Sequence, residues 1–305
     1  MISKTKVAII IPSWNSARDL PALLQSLKKQ DKTLARIEVV LVDNHSSDNS
    51  VAVAKKFYPR VVVIQNPQNL GIAEGNNIGL SHAFKTGNDY AIVLNADTTV
   101  DPHLVSNLLQ AATRHPNCIL SPKIYFAPGK EYYPERYLPS ERGKVIWYAG
   151  GVIDWRNVYG LNRGVDEVDH GHYDREQETN LATGCCMLIP KDIFEKIGGF
   201  NPKYYLYYED TEYSIKVKKI GGQVWYIPKA VLWHINAGSS GVGSGLQDYY
   251  ITRNRLYFGI KYAAFRIKIA LIRESVHLLF IGRTWQKRAV LDFYLGRQGM
   301  GSYTP

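Results

Sequence analysis

Val7-Ala8-Ile9-Ile10-Ile11, closed by Pro12-Ser13-Trp14-Asn15, is the first of four short β-branched runs that decide the fold. The others lie at 39–42, 61–64 and 91–94. They lead into Asp43-Asn44, into a polar stretch beginning at Asn66, and into Asn95-Ala96-Asp97. Helical spacing fills the gaps, with Leu20, Leu23, Leu24 and Leu27 on one face, then 51–57 and 72–84. Strand–helix–strand repetition at this pitch predicts a parallel sheet with right-handed crossovers. Each strand is apolar almost throughout, so both sheet faces are covered. Ligands bind such sheets beyond the carboxyl ends of the strands, which makes the polar residues after each run the first candidates for chemistry.

Past residue 101 the rhythm changes. A helix is predicted over 102–115, followed by an aromatic, Gly-rich stretch at 123–173 whose periodicity is weak, with a short strand at 145–147. A polar loop at 166–179 leads to an apolar run at 182–189. The next helix starts at Pro190 and closes at Gly198-Gly199, and another runs over 209–220 to Gly221-Gly222. Residues 223–231 read as a strand interrupted at Pro228. Four Gly and three Ser in 236–248 predict a mobile loop. The chain from 249 onward reads as helical and basic.

Composition narrows the class. The 305 residues are 45% hydrophobic and 21% charged, which excludes a disordered or collagen-like chain. Three cysteines, two of them adjacent (Cys185, Cys186), form neither a disulfide framework nor a metal knuckle and predict a reducing, cytoplasmic setting. No signal-peptide core and no run of 18 apolar residues is present. The net charge of +10 is uneven: residues 251–305 hold ten Lys/Arg and two acids, leaving +2 for the first 250. A generally basic, nucleic-acid-binding surface is therefore not expected.

The first turn lacks G-x-G-x-x-G and the chain lacks G-x-x-x-x-G-K-[ST], so neither a dinucleotide fingerprint nor a P-loop handles phosphate here. A divalent metal is the natural substitute. The ordered series Pro12-Ser13-Trp14-Asn15, Val42-Asp43-Asn44-x-Ser46, Asn69-x-Gly71-x4-Asn76-x2-Gly79 and Leu94-Asn95-Ala96-Asp97 resembles the family 2 inverting glycosyltransferases of GT-A fold. Ala182-Thr183-Gly184, Gly198-Gly199-Phe200, Tyr208-Glu209-Asp210 and Trp233-His234 continue the resemblance over about residues 5–260. Asp169-x-Gly171-x-Tyr173-Asp174 is similar to the bacterial rhamnosyltransferase branch, beside the galactofuranosyltransferases of cell-surface polysaccharide synthesis.

The resemblance implies an α/β GT-A domain over 1–250, with a nucleotide-sugar half (1–100) and an acceptor and catalytic half (101–250), and a basic helical region at 251–305. It implies an inverting transfer, L-rhamnose from dTDP-rhamnose, to a saccharide or lipid-linked saccharide. The alternatives are a UDP-sugar transferase (galactofuranose, galactose or glucose) and a catalytically silent binder of the same fold. Asp97 and His234 would hold Mg2+ or Mn2+, although Asn95 stands where the family often has a first Asp and would contact the ribose or metal-bound water; Asp97 alternatively caps the helix beyond it. Asp210 matches the family's general base, with Glu209 before it, and a plain N-cap is the other reading. Asp43 would accept the N3–H of uracil or thymine, with Pro12, Trp14 and Asn15 around the nucleotide; Trp14 reads equally as a core aromatic. Gly71 and Asn76 would admit the ribose or pyrophosphate to a helix start, or merely begin a helix. Gly184 would contact donor or acceptor. Arg253, after the Gly/Ser segment, would reach the diphosphate beneath a lid, unless that segment is an ordinary linker.

In the tail, Ile260, Ala264, Ile267, Leu271, Leu278 and Trp285 recur at helical steps and predict an apolar face amid basic residues. That face would meet the inner membrane surface, pack on its own domain or form a homo-oligomer interface.

Overall fold

The computed structural model describes residues 4–235 and 244–304. In chain order it contains β1 (Thr5–Ser13), α1 (Leu20–Lys28), β2 (Ala35–Asp43), α2 (Ser50–Phe57), β3 (Val62–Gln65), α3 (Gly71–Lys85) and β4 (Tyr90–Leu94). Then come β5 (Thr98–Val100), α4 (Leu104–Arg114), β6 (Cys118–Phe126), β7 (Ile146–Tyr148) and a hairpin of β8 (Gly151–Asp154) and β9 (Tyr159–Asn162). β10 (Gln177–Glu178), β11 (Cys186–Pro190), α5 (Lys191–Ile197), α6 (Glu209–Lys219) and β12 (Gln223–His234) precede three helices: α7 (Gly245–Tyr262), α8 (Phe265–Ile281) and α9 (Thr284–Tyr294).

The large sheet runs β10-β12-β6-β11-β4-β1-β2-β3. Its first half is parallel as the strand pattern predicts: β1 lies between β2 and β4, and β3 flanks β2. Beyond β4 the sheet is mixed, because β11 runs antiparallel to both β4 and β6, while β12 runs parallel to β6. Alternation sends Ile9 and Ile11 to one face with Leu20, Leu23 and Leu24, and Ala8 and Ile10 to the other beneath α3. Each isoleucine of β1 is fully buried and contributes about 1.5–3 kcal/mol by leaving water.

Glycines set the height of α3. A Cβ on Gly79 would run into the side chain of Ile10, and one on Gly75 would lie 2.8 Å from Asn44 Nδ2. At Gly71, where φ is 81°, an added Cβ would be 2.5 Å from Tyr205 Cδ2. The space over Gly71 is therefore occupied by Tyr205, which corrects the expectation that this glycine admits a ribose or pyrophosphate. The glycines at 71, 75 and 79 instead permit close packing of the helix.

Two further differences have clear causes. β6 was hidden in the sequence by Ser121, Pro122 and Lys123 at its centre. Ser121 Oγ donates to Cys186 O, and the buried Lys123 ammonium lies 2.6 Å from Asp169 and 2.5 Å from Asp174. Pro122 is opposite Ile227, next to a register shift between Ile227 and Val231 that lets β12 run on through Pro228 to His234. The predicted 236–248 loop is only partly described: 236–243 lies outside the described residues, whereas Ser244 caps α7 and Gly245 to Asp248 form its first turn.

The expected junction at 250 falls inside α7, and the tail is three helices rather than one stripe. Leu271 is buried in a cluster with Val158, Tyr208 and Phe258, and Ile267 and Leu278 pack against that cluster. Trp285 packs on Tyr249 and Tyr303. Of the three readings of that apolar face, these contacts support packing on the protein's own domain, although Ala264 is exposed.

Candidate active site

A cleft of about 600 Å3 opens at the carboxyl ends of β1 and β4. It brings Trp14, Asn95, Asp97, Gly184, Glu209, Asp210 and His234 into one lining, from positions up to 220 residues apart in the chain. A larger groove of about 1040 Å3 lies at the opposite, amino ends of β1–β3, among Lys4, Lys6, Lys28, Lys32, Arg36 and Arg60. The smaller cleft is the better candidate because it gathers the carboxylates and the histidine at the sheet edge where α/β folds bind ligands.

Asp97 and His234 meet because β5 turns back onto the end of β12, pairing Thr98 with His234. Ile235 N also donates to Asp97 O at 2.8 Å. Asp97 Oδ1 is 3.3 Å from His234 Nε2, within ion-pair reach, while neither imidazole nitrogen has a hydrogen-bond partner among the described residues. The ring is 6% exposed and lies edge-on to Trp147 at 4.7 Å. A buried imidazole with both nitrogens unsatisfied next to a carboxylate fits a cation ligand. Among the described residues no group of three or more His, Cys, Asp and Glu side chains is placed to hold a metal. Two protein ligands suit a cation that also takes phosphate oxygens and water.

Across the cleft, α6 begins at Glu209, with Tyr208 before it in the left-handed region. Asp210 stands in the first turn, where the helix dipole favours an anion. Its Oδ2 accepts from Gly184 N at 2.9 Å, and its Oδ1 accepts from Thr211 N and Thr211 Oγ1. Gly184 therefore orients Asp210 as well as lining the cleft. Burial raises the pKa of Asp210 and these bonds oppose the shift; burial and then the Asp210 charge push Glu209 well above its ordinary value. Glu209 Oε2 has no partner. The bonded Asp210 is thus the member that keeps the charge, and Glu209 the member that keeps a proton.

Other predicted residues divide between the cleft and its supports. Trp14 is half exposed at the rim and is not a core aromatic. Asp43 is buried at the end of β2, its Oδ2 accepting from Ser46 N and its Oδ1 unsatisfied, as are Ser13 Oγ and Asn76 Oδ1. Pro12 is buried beside Gly75. Asn15 is engaged elsewhere: its Oδ1 accepts from Ser47 N at 2.8 Å and its N donates to Ser46 Oγ, tying the loops after β1 and β2 together.

Arg253 is a correction. It is fully buried, its Nη2 donates to Tyr204 O and Lys203 O, and its Nε donates to Asn254 Oδ1. Asn254 Nδ2 donates to Tyr204 O, Leu206 O and Tyr207 O at 2.8–3.0 Å. The pair clamps the loop before α6 and does not line the cleft. Sequence reasoning also missed the cleft's aromatic wall of Trp147, Tyr159, Tyr207 and Tyr208. The strand at 145–147 was the only available signal for Trp147.

The sequence profile of Glycosyl transferase family 2 matches residues 8–198. An N-acetylglucosaminyl-diphospho-decaprenol L-rhamnosyltransferase of Mycobacterium tuberculosis is 28% identical over 214 residues, 67% of this chain and 68% of that protein. A low-salt glycan biosynthesis hexosyltransferase of Haloferax volcanii is 25% identical over 70% of this chain and 62% of its own. Among solved structures, GalNAc-T7 with UDP, GalNAc and Mn2+ superposes with a TM-score of 0.64 at 16% identity, covering 95% of this chain and about half (54%) of the other. A mannosyltransferase from Pyrobaculum calidifontis with GDP-Man and Mn2+ gives 0.57 at 15% identity, covering 97% and 75%. These structures share the GT-A-like fold, a mixed, mainly parallel sheet flanked by helices. With the profile covering more than half of its length, the chain belongs to glycosyl transferase family 2.

Proposed function

We propose that this chain is an inverting glycosyltransferase that moves L-rhamnose from dTDP-rhamnose to a saccharide or lipid-linked saccharide acceptor. The observation that carries it is one cleft with the Asp97–His234 pair on one wall and the hydrogen-bonded Asp210 carboxylate on the other. Asp210 takes the proton of the acceptor hydroxyl as that oxygen bonds to the anomeric carbon. The bond from that carbon to the phosphate oxygen breaks, and the nucleoside diphosphate leaves with the electron pair. Asp97 and His234 would hold Mg2+ or Mn2+, which supplies Lewis-acid stabilisation of the leaving diphosphate. Asp43, with its unsatisfied Oδ1, would accept the N3–H of thymine, and would accept that of uracil equally well. The unsatisfied Asn76 Oδ1 would take a donor hydroxyl.

The sugar rests on likeness to the mycobacterial L-rhamnosyltransferase. That relative's name specifies a diphospho-decaprenol-linked acceptor, which makes a lipid-linked acceptor and a cytoplasmic, membrane-facing position the corresponding reading here. The test is a transfer assay with dTDP-rhamnose, UDP-galactofuranose, UDP-galactose and UDP-glucose against polyprenyl-diphosphate N-acetylglucosamine. Product from dTDP-rhamnose, lost in Asp210→Asn while nucleotide binding is retained, supports the proposal. Transfer only from a UDP-sugar overturns the sugar, and undiminished turnover by Asp210→Asn overturns the base.

A further inference from the structure

The buried face of α8 leaves its opposite face without cover from the described residues. Phe265, Ile269, Val276 and Phe280 are 76%, 48%, 45% and 75% exposed, at steps of four, seven and four residues. At 3.6 residues per turn they fall within about 60° of one another, facing away from Leu271 and Ser275. Arg266 and Arg273 border this stripe on one side and Lys268 on the other. Tyr294 of α9 lies against the opposite, buried face, its hydroxyl 2.7 Å from Ser275 Oγ.

The charges of the tail divide in a telling way. Arg255 pairs with Glu274, Lys261 with Glu212, Arg283 with Asp248 and Arg297 with Asp292, while Arg253 is spent on backbone carbonyls. The side chains of Arg266, Lys268 and Arg273 have no ion-pair or hydrogen-bond partner among the described residues. Unspent positive charge thus lies along the edges of the apolar stripe, and Glu274, the acid of α8, is already neutralised by Arg255.

We propose that the exposed face of α8, Phe265-Ile269-Val276-Phe280 bordered by Arg266, Lys268 and Arg273, binds the surface of an anionic lipid bilayer. An aromatic and aliphatic ridge between rows of free cations matches the acyl boundary and the phosphate layer of such a surface. The covered faces of α8 and α9 place Leu271 and Val290 in one buried cluster with Val158, Phe258 and the cleft-lining Tyr208. The inference deepens the reading of a lipid-linked acceptor but is tested without donor or acceptor, so either can fail alone.

The experiment is co-sedimentation of the full chain with sucrose-loaded vesicles of phosphatidylcholine alone or with 30% phosphatidylglycerol, about that fraction being enough to give a strongly negative surface. The expected result is binding to the anionic vesicles, weakened by salt, with little binding to the neutral ones. Arg266→Glu/Lys268→Glu/Arg273→Glu should lower partitioning by on the order of 100-fold, at about fivefold for each cation lost. Phe265→Ser/Phe280→Ser should lower it at least tenfold, and melting temperatures should hold because these side chains are exposed. Wild-type protein that stays in the supernatant, or Phe265→Ser/Phe280→Ser protein that sediments like wild type, overturns the proposal. So does a dimer in sedimentation velocity that the same substitution dissolves while vesicles bind neither form.

Discussion

Replacing Asn254 by alanine tests how the fold delivers Asp210 to the cleft. The loop before α6 holds Tyr205, Tyr207 and Tyr208 at φ values of 67°, 66° and 74°. Left-handed backbone costs an L-residue about 1–2 kcal/mol, so the three tyrosines together store about 3–6 kcal/mol. What opposes this strain is visible: Asn254 Nδ2 donates to three carbonyls of the loop, Tyr205 O accepts from Ile72 N, and Tyr208 OH donates to Val158 O. Asn254→Ala removes two N–H donors shared among three carbonyls and the amide oxygen that accepts from Arg253 Nε. At about 1 kcal/mol for each of these three bonds, and about as much again for a carbonyl left buried, the loss is about 4 kcal/mol. That is comparable to the stored strain, so the loop relaxes and Asp210 moves with it. Thermal unfolding should fall by about 6 °C. Transfer should fall by about 100-fold, the effect of a misplacement of about 1 Å, while nucleotide affinity stays within a factor of two or so. An Asn254→Ala protein that melts within about 1 °C of wild type and transfers at full rate would refute the clamp.

Four shorter expectations accompany it. Burial and then the Asp210 charge push Glu209 up to about 8 in the folded chain from an ordinary 4.5, so the fold binds a proton that the unfolded chain has released, and stability falls as pH rises through that window. Glu209→Gln should therefore melt near wild type at pH 4.5 and progressively above it toward pH 8, as read by calorimetry; a constant difference would contradict the buried carboxylate pair. His234→Ala should abolish the gain in nucleotide affinity on adding Mn2+ and leave metal-free affinity unchanged, measured by titration. Lys123→Met leaves Asp169 buried without its cation and should destabilise the chain by about 3 kcal/mol in urea unfolding, whereas the surface change Lys130→Met should do nothing measurable. Gly79→Ala should destabilise the fold by at least about 1–3 kcal/mol, since its methyl meets Ile10 across the α3–β1 contact.

The parallel half of the fold was legible because β1 to β4 are apolar on both faces and helix-spaced segments separate them. The second half was not, and β6 shows why. Its centre reads as a break until the Cys186 carbonyl and the Asp169 and Asp174 carboxylates are brought to Ser121 and Lys123 from as far as 65 residues away. The same distance in sequence limited the reading of the site. Asp97, Asp210 and His234 could be singled out as candidates, but their convergence depends on β5 folding back onto β12 and on a left-handed turn before α6. Arg253 was misread because a cation near a Gly/Ser segment suggests phosphate, while its actual partners are backbone carbonyls with no signature in the sequence. Gly71 misled likewise, since only the fold places Tyr205 against it. In the tail, helical spacing found an apolar face but could not show which of two faces packs inward.

The central claim of the proposed function is that a nucleoside diphosphate binds with its base at the buried Asp43 and its phosphates at Asp97 and His234 in the cleft. Calorimetric titration of the chain with dTDP and UDP, each with and without Mn2+, tests it most directly. The account predicts saturable binding of at least one nucleotide, tightened by Mn2+ and lost in Asp43→Ala. No heat of binding from either nucleotide, with or without the metal, would contradict it.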